Sequence, residues 1–253
     1  YLKSILESKS FLPRFNLEFT HLSESYQSRA AFLPIAMVCF CDIPFEHSKK
    51  HRERYGNHGI VLTENWKLQK GLNPIIYIQS ESFLANIFAN FINQTNDFIP
   101  IMNNEENDIK VPLTLANVGN NLTYLTYFLK QFENKTKKLI DYEGKVRIFE
   151  KRKFYDEREW RFVPKIRIES EYEATISKEQ FSNSEFLQIE NNKMIDFRLK
   201  FEPKDIKYIF VKNENEIHQM VKKLRNIKQR FSLKEIDILT SKILTTEQIK
   251  EDF

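Results

Sequence analysis

The sequence predicts an α+β fold, a mixed sheet interrupted by a helical insertion. Three observations predict it. Short strand-like runs occur early in the chain and return in its second half, and the block between them has helical spacing. With 253 residues, 41% of them hydrophobic and 13% aromatic, the chain can bury a substantial core. Strands flanking a helical block imply one sheet built from both ends of the chain. The expected division is a core of residues 1–79 and 141–253 with residues 80–140 inserted, all within one compact domain.

The elements follow from the spacing of apolar residues. Leu2, Ile5 and Leu6 give the first segment a helical period, and Phe11-Leu12-Pro13-Arg14 leaves the helix. Phe15 to Ser28 is mixed in character and reads as irregular. Pro34 to Cys41 is a continuous apolar run closed by Asp42-Ile43-Pro44, the pattern of a buried strand. A charged helix from about Phe45 to Tyr55 ends at Gly56. Gly59–Leu62 is a strand, Thr63 caps a short helix, and Asn73–Ile78 is another strand.

From Ser80 to about Leu139 the period changes. Phe83, Leu84, Ile87, Phe88, Phe91 and Ile92 recur at three-to-four spacing, as do Leu122, Leu125, Phe128, Leu129 and Phe132. Aromatic stripes of this kind fill a core, so they are read as packing and not as a cofactor box. The acidic, Asn-rich Met102 to Asp108 separates them as a loop. Strand character returns at Lys145–Phe149 and Glu157–Val163, joined by Lys151–Asp156. Ile206–Val211 reads as a strand, Glu214–Lys228 as an amphipathic basic helix, and Ile236–Leu239 as a final strand.

Composition excludes several functions. Only five glycines are present and none forms a phosphate loop, so GxGxxG and GxxxxGK[ST] are both absent. A formal charge of +4 is too small to argue for nucleic acid by itself. Basic residues cluster at Lys145–Arg167 and at Lys222–Arg230, but acids interrupt the first cluster. The longest apolar run, Ala30 to Cys41, contains Pro34 and is too short to cross a bilayer, so no membrane association is expected. Cys39 and Cys41 lie two apart on one strand, where a disulfide between them would be strained; reduced thiols and a cytoplasmic location are expected. The chain opens on Tyr1 and not Met, so the natural protein is expected to begin earlier.

The candidate chemistry lies in Phe154 to Pro164. As a strand from Glu157 to Val163, this segment turns Arg158, Trp160 and Phe162 to one face and Glu157, Glu159, Arg161 and Val163 to the other. Two carboxylates projecting together are costly to desolvate unless they are paired, which makes Glu157 and Glu159 candidates for catalysis. A solvated edge strand with a Glu159–Arg161 surface ion pair explains the same pattern. Cys39 and Cys41, with His47, His51 and His58, invite a zinc reading, but the usual zinc spacings are CxxC and longer, and no metal site is assigned. His21 beside Ser23 and Ser25 lacks the acidic partner and elbow of a serine hydrolase. In Tyr55-Gly56-Asn57-His58-Gly59, the turn could present backbone amides and His58 to a ligand.

Several blocks carry a resemblance. Pro34 to Pro44 (PIAMVCFCDIP), His51, Tyr55–Ile60, Trp66, Gly71-x-Asn73-Pro74, Tyr77 and Tyr155–Arg161 (YDEREWR) resemble the AbiGi family of abortive phage-resistance proteins. The resemblance implies an antitoxin in a two-gene system, with a cognate partner protein of nucleotidyltransferase-like toxin type. The order of parts is also remotely similar to ADP-ribosyltransferase-like folds, including the DarT toxins. That similarity implies NAD as substrate, with a protein or nucleic acid as acceptor. Glu159 would bind the nicotinamide ribose and steady an oxocarbenium-like transition state, Glu157 would orient the acceptor, and Tyr55, His58 and Arg161 would contact the dinucleotide. The His or Arg that those folds carry on their first strand would precede Tyr1. Two functions are thus implied, a NAD-dependent transferase and a non-catalytic binding module. A third, nucleic-acid binding through Lys222, Lys223, Arg225, Lys228 and Arg230, competes with a plain solvated helix face.

Overall fold

A computed structural model describes residues 2–19, 32–102, 113–134, 137–140, 146–149, 151–165, 172–226 and 231–252. The expected stretches at His21 with Ser23 and Ser25, at 103–108, at Lys145, and at Lys228 and Arg230 lie outside them. Along the chain the elements are α1 (Leu2–Ser8), β1 (Ser10–Phe11), β2 (Arg14–Phe19), β3 (Phe32–Cys41), α2 (Lys49–Tyr55), β4 (Gly59–Leu62), α3 (Glu64–Gln69), β5 (Asn73–Pro74) and β6 (Ile76–Ile78). They continue with α4 (Phe83–Met102), α5 (Leu113–Thr126), β7 (Leu129–Gln131), β8 (Glu133–Asn134), β9 (Lys137–Ile140), β10 (Val146–Phe149), β11 (Arg152–Lys153) and β12 (Glu159–Phe162). The last group is α6 (Lys178–Ser182), α7 (Ser184–Lys193), β13 (Leu199–Lys200), β14 (Ile206–Val211), α8 (Glu214–Asn226), α9 (Leu233–Thr240), β15 (Ile243–Thr245) and α10 (Thr246–Asp252). This is a mixed α+β architecture with several small sheets.

The chain groups into two compact units. The first takes Tyr1–Pro13, Cys41–Leu72 and Ile195–Phe253, and the second Arg14–Phe40 and Asn73–Met194. In the first, β14 lies between β4, antiparallel to it, and β15, parallel to it. Ile206, Ile209 and Val211 from β14 pack with Leu224, Ile236 and Leu239 as fully buried or nearly fully buried side chains. Trp66 is buried and its indole N–H donates to the Lys200 carbonyl at 3.0 Å, which satisfies its polar atom without water. Gly56, at φ 93°, closes α2 by donating its N–H to the Arg52 carbonyl, in a conformation that a side chain would strain.

In the second unit the strands run in the order β2-β3-β12-β5. Antiparallel β2 and β3 pair from Arg14↔Met37 to Phe19↔Phe32, and β5 pairs antiparallel with β12. Ile35, Met37, Tyr127, Phe128 and Val163 form the core against this sheet. Separate pairs β6–β7 (parallel), β8–β11 and β9–β10 complete the strands. Strands from before and after the helical block do pair, in β5–β12 and β4–β14, but they enter several sheets and not one. The stretch 80–140 lies within the second unit, together with β12.

Four local expectations change. Arg14–Phe19 is a strand and not irregular, because pairing with β3 decides its conformation. The helix expected through Phe132 stops at Thr126; Leu129–Gln131 instead pairs with Ile76–Ile78, and that tertiary pairing overrides the helical period. Ile236–Leu239 is helical: Ser232 caps α9 in a reciprocal box with Glu235, and Ile236 and Leu239 face the core three residues apart. The apolar stripe on α4 is core only in part: Phe88 packs against the cluster of Ile78, Ala85 and Leu129. Phe83 (82% exposed), Leu84 and Ile87 lie open, and on α5 Val118, Leu122 and Leu125 do too, while the small Ala85 and Ala89 turn inward.

The capping box makes one stability prediction. Ser232→Ala removes the hydroxyl's bonds to the Glu235 N–H and carboxylate, keeps the backbone N–H of residue 232 that donates to Glu235, and lowers the free energy of unfolding by about 1 kcal/mol. Chemical denaturation of the variant beside the parent measures it, and an unchanged midpoint would contradict the assigned cap.

Candidate functional site: a buried ion network

The segment before β12 does not continue the strand. Phe154–Glu157 is a turn of 3-10 helix, and Arg158 follows it in the left-handed region at φ 42°. Glu157 is therefore not on the strand beside Glu159, and the period of two holds only from Glu159 onward. Tyr155 drives the turn: its N–H donates to the Phe132 carbonyl and its ring stacks on Phe132, with Tyr77 in a T-shaped contact with it. A non-glycine residue in this conformation is strained by roughly 1 kcal/mol or more, and the packed rings on one side and the sheet on the other hold it there.

Within β12 the alternation is real but inverted from ordinary expectation. Glu159 (4% exposed) and Arg161 (0%) point inward, while Trp160 and Phe162 are half-buried. β12 lies between β3 and β5, so the edge-strand reading with a surface ion pair does not hold. A guanidinium without water must find partners for its donors. Arg161 donates from Nε and Nη2 to Glu159 Oε1 at 2.9 and 2.7 Å, from Nη2 to Glu18 Oε2 at 2.7 Å, and from Nη1 to the Tyr127 carbonyl. Lys130 Nζ donates to the other Glu159 oxygen at 2.8 Å, and lies 3.6 Å from Glu157 and 3.7 Å from Glu18. Arg152 pairs with Glu157. Three carboxylates thus meet three cations, and the cluster is neutral.

These contacts set the protonation states. Desolvation alone would push the Glu159 carboxyl up, but the Arg161 and Lys130 charges outweigh it and hold the group down at about 2. Desolvation opposes the charged form of Lys130 and of Arg161 too; Glu18 and Glu159 overcome it and raise both. The Cys39 thiol has solvent access on one side yet is crowded by protein on the other. Desolvation first, and the Glu159 carboxylate next, push it far up, so it stays a neutral thiol and not a thiolate nucleophile. Cys39 and Cys41 are exposed, where the sequence suggested a buried run; among the described side chains of β3, Pro34–Met37 are the buried ones. Among the described residues no three His, Cys, Asp or Glu side chains are placed to hold a metal ion.

Of the expected site residues, Glu157, Glu159 and Arg161 come together in the second unit. Tyr55 and His58 belong to the first unit. Tyr55 is 60% exposed with its ring 4.5 Å from that of His51, and His58 Nε2 lies 2.7 Å from Glu216. Three members of the network were missed, Glu18, Lys130 and Arg152, the last read only as part of the connection Lys151–Asp156. Glu18 lies on β2, whose signal was the alternation Phe15-x-Leu17-x-Phe19. Lys130 carries no local signal, because only the β6–β7 pairing brings it to β12. Tyr77 also supports the site: its hydroxyl accepts from the Glu159 N–H at 2.9 Å.

The network predicts two outcomes. Arg161→Met leaves Glu18 and Glu159 buried with Lys130 alone between them and destabilises the fold by about 3–5 kcal/mol; a loss below about 1 kcal/mol by denaturant titration would show that the charges do not depend on Arg161. The folded pKa of Glu159 is depressed below its usual 4.5, so its contribution is present above that value and is lost as pH falls toward about 2. Glu159→Gln removes that dependence, so the slope of stability between roughly pH 5 and pH 2 is shallower in the variant than in the parent.

Comparison with known proteins places the chain. Residues 9–212 match the family model described as "Putative abortive phage resistance protein AbiGi, antitoxin". The chain is 29% identical over 258 residues to the abortive phage resistance protein AbiGi of Lactococcus lactis subsp. cremoris, covering 96% of this chain and 100% of that protein. No solved structure matches, so nothing of that kind bears on the expected ADP-ribosyltransferase-like core. With its two strongest sequence blocks built into β3 and β12, on neighbouring strands of one sheet, and with the family model spanning most of its length, this chain belongs to the AbiGi family.

Proposed function

We propose that this chain acts in phage defence as the antitoxin of a two-component abortive-infection system in the cytoplasm. It works by binding, holding a toxin of nucleotidyltransferase-like type inactive through protein–protein contact. The observation that carries this reading is the closure of Glu159, both of whose oxygens are taken by Arg161 and Lys130. A carboxylate held at about 2 does not donate a proton near neutrality and is a weak base. Its two cationic neighbours also cancel much of the negative field that an oxocarbenium-like transition state requires. ADP-ribose transfer from NAD, with Glu159 catalytic and Glu157 assisting, asks for a carboxylate open to the ribose, and Glu157 is itself paired with Arg152.

The exposed apolar residues of α4 and α5 support a binding role. The two helices together contain a single charged residue, Asp97, and leave Phe83, Leu84, Ile87, Val118, Leu122 and Leu125 open. Exposed apolar residues gathered on two helices that pack on each other mark a contact face. Its neutrality suits an uncharged, apolar face on the toxin, since a charged one would be desolvated there without compensation.

Co-expression with the protein encoded beside it tests the reading. The parent and Glu159→Gln both form a complex by size-exclusion chromatography and both relieve toxicity, neither transfers label from NAD, and Phe83→Asp with Ile87→Asp weakens the complex roughly tenfold or more. Label transfer by the parent that is lost in Glu159→Gln would replace this reading with the transferase.

A further inference from the structure

The basic stretch 151–158 is not absorbed by the antitoxin reading, and the fold gives it an arrangement that the sequence does not show. Tyr155 is 47% exposed although its ring stacks on Phe132, with centroids 5.3 Å apart and planes 27° from parallel. Tyr77 makes a T-shaped contact with it, centroids 5.4 Å apart and planes at 74°. One face of Tyr155 is thus backed by a ring, a second ring fixes its orientation, and about half of the residue's surface stays open to solvent. Lys153 Nζ lies 5.2 Å from the Phe132 centroid and 5.7 Å from that of Tyr155. With the rings themselves 5.3 Å apart, these three distances make a nearly equilateral triangle. The ammonium therefore sits beside the stack and does not cap the outer face of Tyr155.

The cations around this platform are exposed. Lys151, Lys153 and Arg158 all reach solvent. Lys153 shares a 3.9 Å contact with Asp156, but both partners are about half exposed, and a pair of that kind holds its ammonium only loosely. Of the two acids in the stretch, Glu157 is turned inward to Arg152 and Lys130, and Asp156 remains at the surface. Three exposed cations against the one exposed acid leave the surface of the stretch basic on balance, with the half-exposed Tyr155 ring among these residues in the chain.

From this juxtaposition we propose that Tyr155, backed by Phe132 and flanked by Lys151, Lys153 and Arg158, is a stacking platform for single-stranded nucleic acid. An unpaired base offers a flat apolar face to the Tyr155 ring, and the phosphates on either side of it meet the exposed cations. A duplex keeps its bases stacked on one another and offers the platform only its backbone. The site is separate from the α4–α5 face and does not depend on the antitoxin reading.

Fluorescence anisotropy with the full chain and short labelled single strands, as RNA and as DNA, tests the proposal, with the matching duplex and NAD as further ligands. Single strands bind, more tightly than the duplex, and the affinity falls steeply with salt. Tyr155→Ala weakens binding at least fivefold, and Tyr155→Phe, which keeps the ring, restores it. Lys151→Glu, on the surface and outside every hydrogen bond described above, weakens binding and flattens the salt dependence; this variant carries the test if Tyr155→Ala fails to fold. No binding of any single strand, parental affinity in Tyr155→Ala or in Lys151→Glu, or binding of NAD without binding of oligonucleotides would each overturn the proposal.

Discussion

One side chain constrains the second unit more than any other. Arg161 is fully buried, and a guanidinium in that position holds its charge only if carboxylates and a carbonyl surround it. The chain supplies them from separate places: Glu18 from β2, the Tyr127 carbonyl from the turn after α5, and Glu159 from its own strand. Lys130, on β7, then balances the second carboxylate. Each of these segments must be in place before the guanidinium can be desolvated, so the ion network and the sheet order β2-β3-β12-β5 depend on each other. The geometry specifies which strands meet, a role for which buried polar groups suit better than for net stability.

That dependence bears on function. A family block containing two glutamates and two arginines looks like an active site in a linear sequence, because acidic and basic residues at short spacing are the raw material of one. Here the tertiary structure turns the same residues on one another. Glu159 ends as a paired group that stays ionised near neutrality, and Cys39 beside it as a neutral thiol. The chemistry available to such a cluster is narrow, whereas the surfaces around it are not so restricted. The apolar faces of α4 and α5 and the ringed, basic turn at Tyr155 are both exposed to solvent.

The inward turn of Glu157 links the two levels. The 3-10 turn removes this acid from the surface and gives it to Arg152 and Lys130, and the strained Arg158 then returns the chain to the sheet. One local irregularity therefore completes the buried network and leaves the outer side of the turn basic. Backbone strain tolerated by a well-packed surround often has a role beyond packing.

Much of the first unit was legible residue by residue, because its signals are local. Gly56 stops α2, Thr63 caps α3, and Ile206–Val211 is a strand, each fixed by backbone freedom, a hydroxyl at a helix start, or a run of β-branched and aromatic side chains. The same logic, had it been applied to Ser232 and Glu235, identifies α9 as a helix. The second unit was legible only in part. The period of two in β12 correctly put Glu159 and Arg161 on one face, but periodicity cannot say which face is inside, and it could not reveal the turn at Glu157. The sequence alone determined the α+β class, the family blocks and the local caps, since these rest on interactions within a few residues. Tertiary structure alone decided that Glu18, Lys130, Glu159 and Arg161 form one closed network and that part of the α4 stripe lies open, because burial and charge pairing are settled by segments more than a hundred residues apart, as Glu18 and Arg161 are.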